Sequence, residues 1–229
     1  REKPVSRKIS PNSSKVASAA TAVSDSRLNA SVATDGTCIV NLELHFRLDA
    51  PDKSLSFPIP ANAKNVTVNG STAWTYTDGA VRHVKLGGIV GNTAGNFTVY
   101  LQYTVPNTVD YDEQEKLMLT LPLLSGFDYP VDAMSFSVTM PGEITTKPTF
   151  TSTYMQSSIE SRITTIVGGQ LLNGSTTQGM QDREKVSLVM DVSEDMFPGK
   201  LLLAQELLFP CTATAFHFLA DYTEQDEPD

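Results

Sequence analysis

Histidine, cysteine and tryptophan are scarce in this 229-residue chain, at 3, 2 and 1 copies. His45, His83 and His217 never fall at metal-ligand spacing, and neither cysteine has a C-x-x-C neighbour, so no zinc site is expected. Basic residues are also few, 17 Lys plus Arg against 26 Asp plus Glu, for a formal charge of −9. That balance argues against nucleic acid or an anionic membrane surface as a partner, because both call for a basic footprint. No run reaches the roughly 18 uninterrupted apolar residues of a membrane span. The nearest, 200–220, is broken by Gln205, Glu206, Pro210 and His217. Catalytic signatures are missing too: there is no G-x-S-x-G elbow, P-loop, G-x-G-x-x-G or H-E-x-x-H. The glycines between Gly87 and Gly95 lack phosphate-loop spacing and read as loop. No catalytic residue, cofactor-binding residue, metal ligand or cofactor is assigned, and the expectation is a chain that is not an enzyme.

What is abundant is hydroxyl and alternation. Ser and Thr make up about a fifth of the chain and charged residues only 19%, a surface chemistry that suits strands better than helices. From Cys38 to Leu48 every second residue is apolar, and the same period of two recurs at 97–105, 134–140 and 186–192. Each run reads as a half-buried antiparallel strand. Asp35-Gly36 and Asp78-Gly79, with Asn69-Gly70 as a third, sit where tight hairpin turns are needed. Strands are expected at 27–33, 37–48, 54–59, 65–68, 73–77, 80–86 and 96–105, the cadence of an immunoglobulin-like sandwich. A second set is expected at 116–121, 134–140, 149–154, 163–172 and 185–192, with prolines at the run ends.

These patterns predict an all-β fold of two tandem immunoglobulin-like β-sandwich domains, 25–106 and 107–198. A packed, partly helical segment (199–220) follows. Residues 1–24, rich in Ser, Ala, Pro and Lys, read as a flexible arm carrying +3 in its first eight residues, and 221–229 as an acidic tail of −5. The chain starts without Met and with no apolar leader core, so it is expected to be a portion of something longer.

A few residues could carry function. Trp74 and Tyr76 lie two apart and share one face of a strand. Outward, they make a stacking platform for a sugar ring or a protein hot spot. Inward they are core, the favoured reading, since a sandwich commonly centres on one Trp. Cys38 and Cys211 either form a disulfide closing a long loop, worth at most ~5 kcal/mol, or remain two buried thiols. Asp110, Asp112 and Gln114 imitate the opening of a calcium loop, but Glu115 and Leu121 stand where its Gly and bidentate Glu belong. A solvated acidic linker is favoured there. His45 and His83 read as outward strand residues. Six N-x-S/T sequons, at Asn12, Asn29, Asn65, Asn69, Asn96 and Asn173, are consistent with glycosylation in a secreted eukaryotic chain or with a polar β surface.

The run from Tyr103 to Ile144 holds a strand ending in Tyr103, the acidic stretch 110–115, the aliphatic strand 117–121, Tyr129-Pro130-Val131-Asp132, an alternating strand and Pro141-Gly142. It resembles the extracytoplasmic region of a family of predicted bacterial membrane proteins (domain of unknown function 2207). The resemblance covers about forty residues specifically and implies an extracytoplasmic β region with membrane attachment only through a segment outside this chain. It assigns no functional residues. A weaker likeness is to β modules that precede catalytic domains in secreted peptidases and transglutaminase-like proteins. The expected function is a non-catalytic cell-envelope module that contacts a protein or a surface polymer. The alternatives are an accessory domain of a larger secreted or membrane-anchored enzyme and a glycan-binding module.

Overall fold

Period-two alternation closes into two packed layers of strand in the computed structural model, which describes residues 20–154 and 159–200. The expected C-terminal segment and acidic tail lie outside the described residues, as does most of the N-terminal arm. Among the described residues fifteen strands run in chain order: β1 (Ala22–Val32), β2 (Cys38–Leu48), β3 (Ser56–Pro60), β4 (Lys64–Val68), β5 (Ser71–Thr72), β6 (Thr75–Asp78), β7 (Val81–Lys85), β8 (Gly95–Val105), β9 (Val109–Tyr111), β10 (Leu117–Ser125), β11 (Met134–Met140), β12 (Thr149–Ser152), β13 (Ile159–Ile166), β14 (Gly169–Thr176) and β15 (Lys185–Asp191). A 3₁₀ turn, Glu194–Met196, follows, with the Ser193 hydroxyl capping Asp195 N–H. The fold is all-β, as the alternation predicts.

One layer is an eight-stranded sheet in the order β13-β14-β11-β1-β2-β8-β4-β5. The other consists of a four-stranded sheet, β12-β15-β10-β9, and a three-stranded sheet, β3-β7-β6, with β3 beside β10. All pairings are antiparallel except β1 with β11, which run parallel from Ser26↔Met134 to Ser31↔Thr139. Inward residues stack in register across the large sheet: Phe136, Leu28, Leu42, Leu101 and Val68 form one buried row.

The division expected near residue 106 does not separate two cores. β1, from the first half, is paired on one side with β2 and on the other with β11 from the second half. Phe127, between β10 and β11, packs against both Phe46 and Phe57 at centroid distances of 5.9 and 5.2 Å. One buried apolar cluster runs from Val23 to Phe197. The physical reason is that alternation marks a half-buried strand without naming its partner, and β1 with a second apolar-faced neighbour buries more than an edge.

Two local expectations also shift. β1 begins at Ala22, inside the expected arm, and Val23 is fully buried. The single strand expected at 163–172 is a hairpin of β13 and β14, turning at Val167 and Gly168, where Gly168 has φ 83°. Of the three Asx-Gly turns, only Asn69-Gly70 places both residues at positive φ, 49° and 80°. At Asp35 and Asp78 only the glycine is left-handed.

Candidate functional site

The three-stranded sheet is built from a hairpin and an edge. Gly79 (φ 56°) turns β6 into β7, setting Tyr76 opposite His83 and Asp78 opposite Val81. β3 pairs with the far side of β7 and carries Pro58 and Pro60. Proline removes a donor, which an outer strand tolerates. Phe57, Ile59 and Val84 point inward and are buried. The opposite side carries Ser56, Tyr76, His83 and Lys85, with Trp74 one residue ahead of β6.

On that outer side the aromatic groups are held in place. The Lys85 backbone N–H donates to the Trp74 carbonyl at 3.0 Å, extending the hairpin by one pair. The Lys85 ammonium lies 3.6 Å from the Trp74 ring centroid and 5.7 Å from that of Tyr76. Tyr76 stacks on His83 with centroids 4.9 Å apart and planes 11° from parallel. The Ser56 hydroxyl is 3.4 Å from His83 Nδ1. Trp74 is nevertheless 62% exposed and Tyr76 43%. The favoured core reading of this pair is therefore corrected: both rings face water. Ala73 and Thr75, in the other phase of the run, are half-buried, so the strand turns these small residues toward the core and its large ones out.

Such a surface combines two rigid aromatic faces with a cation and an imidazole. It suits recognition by stacking and apolar contact, in which Trp and Tyr supply large area at low entropic cost.

No protein-family model matches the chain, and no curated protein does. Solved structures similar to it include yeast LTA4 hydrolase in complex with bestatin, at 11% identity and a TM-score of 0.44 over 76% of this chain. A putative protease from Parabacteroides distasonis gives 10% identity and 0.44 over 75%, and the M1 zinc metallopeptidase from Deinococcus radiodurans 11% and 0.35 over 74%. The chain spans only 29%, 41% and 42% of those three chains respectively.

The remaining candidates are not brought to the aromatic face. Cys38 is buried at the start of β2, and burial pushes its thiol up to about 12 against a weaker opposing hydrogen bond with the Ser31 backbone. Cys211 and His217 lie outside the described residues. His45 sits in the large sheet, 2.7 Å from Glu43 Oε1 and 3.2 Å from the Thr98 hydroxyl, apart from His83 in the small one. The Asp112 carboxylate accepts the Gln114 and Lys116 backbone N–H groups and closes the β9–β10 turn, while Asp110 lies 3.5 Å from the Lys200 ammonium. Among the described residues there is no group of three or more His, Cys, Asp or Glu side chains arranged to hold a metal ion. Nor is any helix there long and apolar enough to cross a membrane. Of the sequons, Asn29, Asn65, Asn69 and Asn96 are exposed and Asn173 half-buried, and Asn12 lies outside the described residues. Lys85, which sequence reasoning passed over, joins the site through its place opposite Trp74 in the hairpin.

Proposed function

We propose that the chain is a non-catalytic β module of a bacterial cell-envelope protein, placed outside the cytoplasm, that works by contact with a protein or a surface polymer. The contact surface is the outer face of the three-stranded sheet. The observation that carries this reading is Trp74, 62% exposed and aligned with Tyr76 over a sheet whose other side is core. An aromatic ring left in water gains about 25 cal/mol for each Å² a partner covers. Lys85 and His83 fix both rings before a partner arrives, so little rotamer freedom is lost on binding. The extracytoplasmic placement rests on the resemblance carried by 103–144.

The test is binding of the chain to purified cell-wall polymer, soluble glycan and envelope protein, each measured with the parent and with a Trp74→Ala, Tyr76→Ala double variant. Binding that the double variant loses supports the reading. A defined catalytic turnover with no binding to any of the three overturns it.

A further inference from the structure

Outward side chains of the eight-stranded sheet line up as a polar row. Asn173, Ser137, Asn29, Asn41, Gln102 and Thr67 occupy matched positions on β14, β11, β1, β2, β8 and β4. At the middle of this row the surface dips into a groove of about 270 Å³, walled by Asn29, Asn41, Glu43, Thr67, Tyr100 and Gln102. Asn is depleted in strands, yet Asn29 and Asn41 stand directly opposite each other in mid-strand, and Gln102 follows on the next strand. Among the described residues no hydrogen bond engages these three side-chain amides.

The chemistry of the lining selects its ligand. Each amide presents two donors and one acceptor, and neighbouring strands lie about 4.8 Å apart. Three amides on consecutive strands therefore cover about 9.6 Å with alternating donors and acceptors, the reach of one sugar ring with its hydroxyls. Tyr100, paired with Glu43 and 56% exposed, supplies an aromatic ring at the wall. The Glu43 carboxylate lies 2.7 Å from His45 Nε2 and 3.7 Å from the Arg27 guanidinium, which is itself closer to Asp25 at 2.7 Å, so the wall keeps a carboxylate that disfavours an anionic ligand. Phosphate or uronate would meet Glu43, and a cation would find one carboxylate in the lining and no second. A neutral polyhydroxyl ligand meets only matching hydrogen-bonding groups.

We propose that this groove binds a neutral saccharide, with Asn29, Asn41 and Gln102 hydrogen-bonding its hydroxyls and Tyr100 beside its ring. The site lies on a different sheet from Trp74 and does not depend on the aromatic face.

Calorimetric titration of the full chain with neutral tetrasaccharides of glucose, mannose, xylose and N-acetylglucosamine, and with an oligogalacturonate, tests it. At least one neutral sugar binds, Asn41→Ala and Gln102→Ala each weaken it about tenfold, and Val167→Ala, at the exposed β13–β14 turn, leaves it unchanged. Asn41→Thr, which favours the strand but lacks the amide, repeats the loss in a variant whose thermal unfolding matches the parent. The proposal is overturned by no binding to any neutral sugar, by preference for the oligogalacturonate, or by binding that both groove variants retain. Binding abolished by Trp74→Ala alone assigns the sugar to the aromatic face and overturns the groove.

Discussion

Lys85 and Trp74 are joined twice: the Lys85 backbone N–H donates to the Trp74 carbonyl at 3.0 Å, and the ammonium lies 3.6 Å from the centre of the indole ring. The first contact comes from the hairpin and the second from the side of the sheet both residues share. Lys85→Ala removes only the second. A cation over an exposed ring is worth about 0.5–1 kcal/mol, so unfolding stability falls by no more than that. Partner affinity falls further, because the indole loses its fixed orientation. Urea titration alongside a binding isotherm separates the two effects, and equal losses in both would contradict the orienting role.

Tyr129 donates its phenol O–H to Asp52 Oδ2 at 2.9 Å, linking the β2–β3 loop to the β10–β11 loop. Burial would raise the Asp52 carboxyl, but hydrogen bonds from Ser54, Tyr129 and the backbone of Ser54 and Leu55 outweigh it and hold it below its usual 3.8. Its contribution to stability is therefore complete above about pH 4 and is lost as the pH falls through the lowered folded value. Tyr129 is raised by burial and then by Asp52 and nearby carboxylates, so its share is complete below its usual 10.0 and is lost as the pH rises through the folded value. Tyr129→Phe costs about 1 kcal/mol at neutral pH. Denaturation of parent and variant across pH shows that gap closing at both extremes; a pH-independent gap would contradict it.

Gly174 faces Phe136 across the β14–β11 pair, and a Cβ there would stand 2.2 Å from the ring. Gly174→Ala is predicted to destabilise the chain by roughly 1–3 kcal/mol through overpacking. Gly88→Ala, where nothing lies within 4 Å, is the control and should leave the melting midpoint unchanged. Equal midpoints for the two variants would contradict the placement of β14.

Burial of Cys38, and a thiol held up to about 12, predict that it reacts with a thiol reagent at neutral pH only through unfolding. In a Cys211→Ser variant, modification should be slow in buffer and complete in denaturant. Rapid labelling of the native variant would show the start of β2 to be open.

Much of the fold was readable because period-two alternation is a local signal. β2, β8, β11 and β15 lie within a residue or two of where alternation puts them, whereas Pro122, expected at a run end, lies inside β10 beside a register shift. The parallel β1–β11 pair was not readable, since its residues are more than a hundred apart and every half-buried strand looks alike. The aromatic site was legible in part. Spacing puts Trp74 and Tyr76 on one face of a strand, but not which face, and the tendency of sandwiches to bury one Trp points the wrong way here. The Asp78-Gly79 turn contained the answer: its register sets Tyr76 opposite His83 and Trp74 opposite Lys85, on the side away from Val84. The amide groove needed the register of three strands at once, which no local pattern supplies.

Trp74 is the only tryptophan in the chain, so its fluorescence reports on the candidate contact surface and nothing else. The most direct measurement is a titration of the native chain with purified cell-wall polymer or envelope protein, following emission and acrylamide quenching together. The account predicts a water-exposed, readily quenched tryptophan in the free chain, followed by a blue shift and protection from quencher as the partner binds. A tryptophan already shielded in the free chain, or one that stays fully quenchable when the partner is bound, would contradict it.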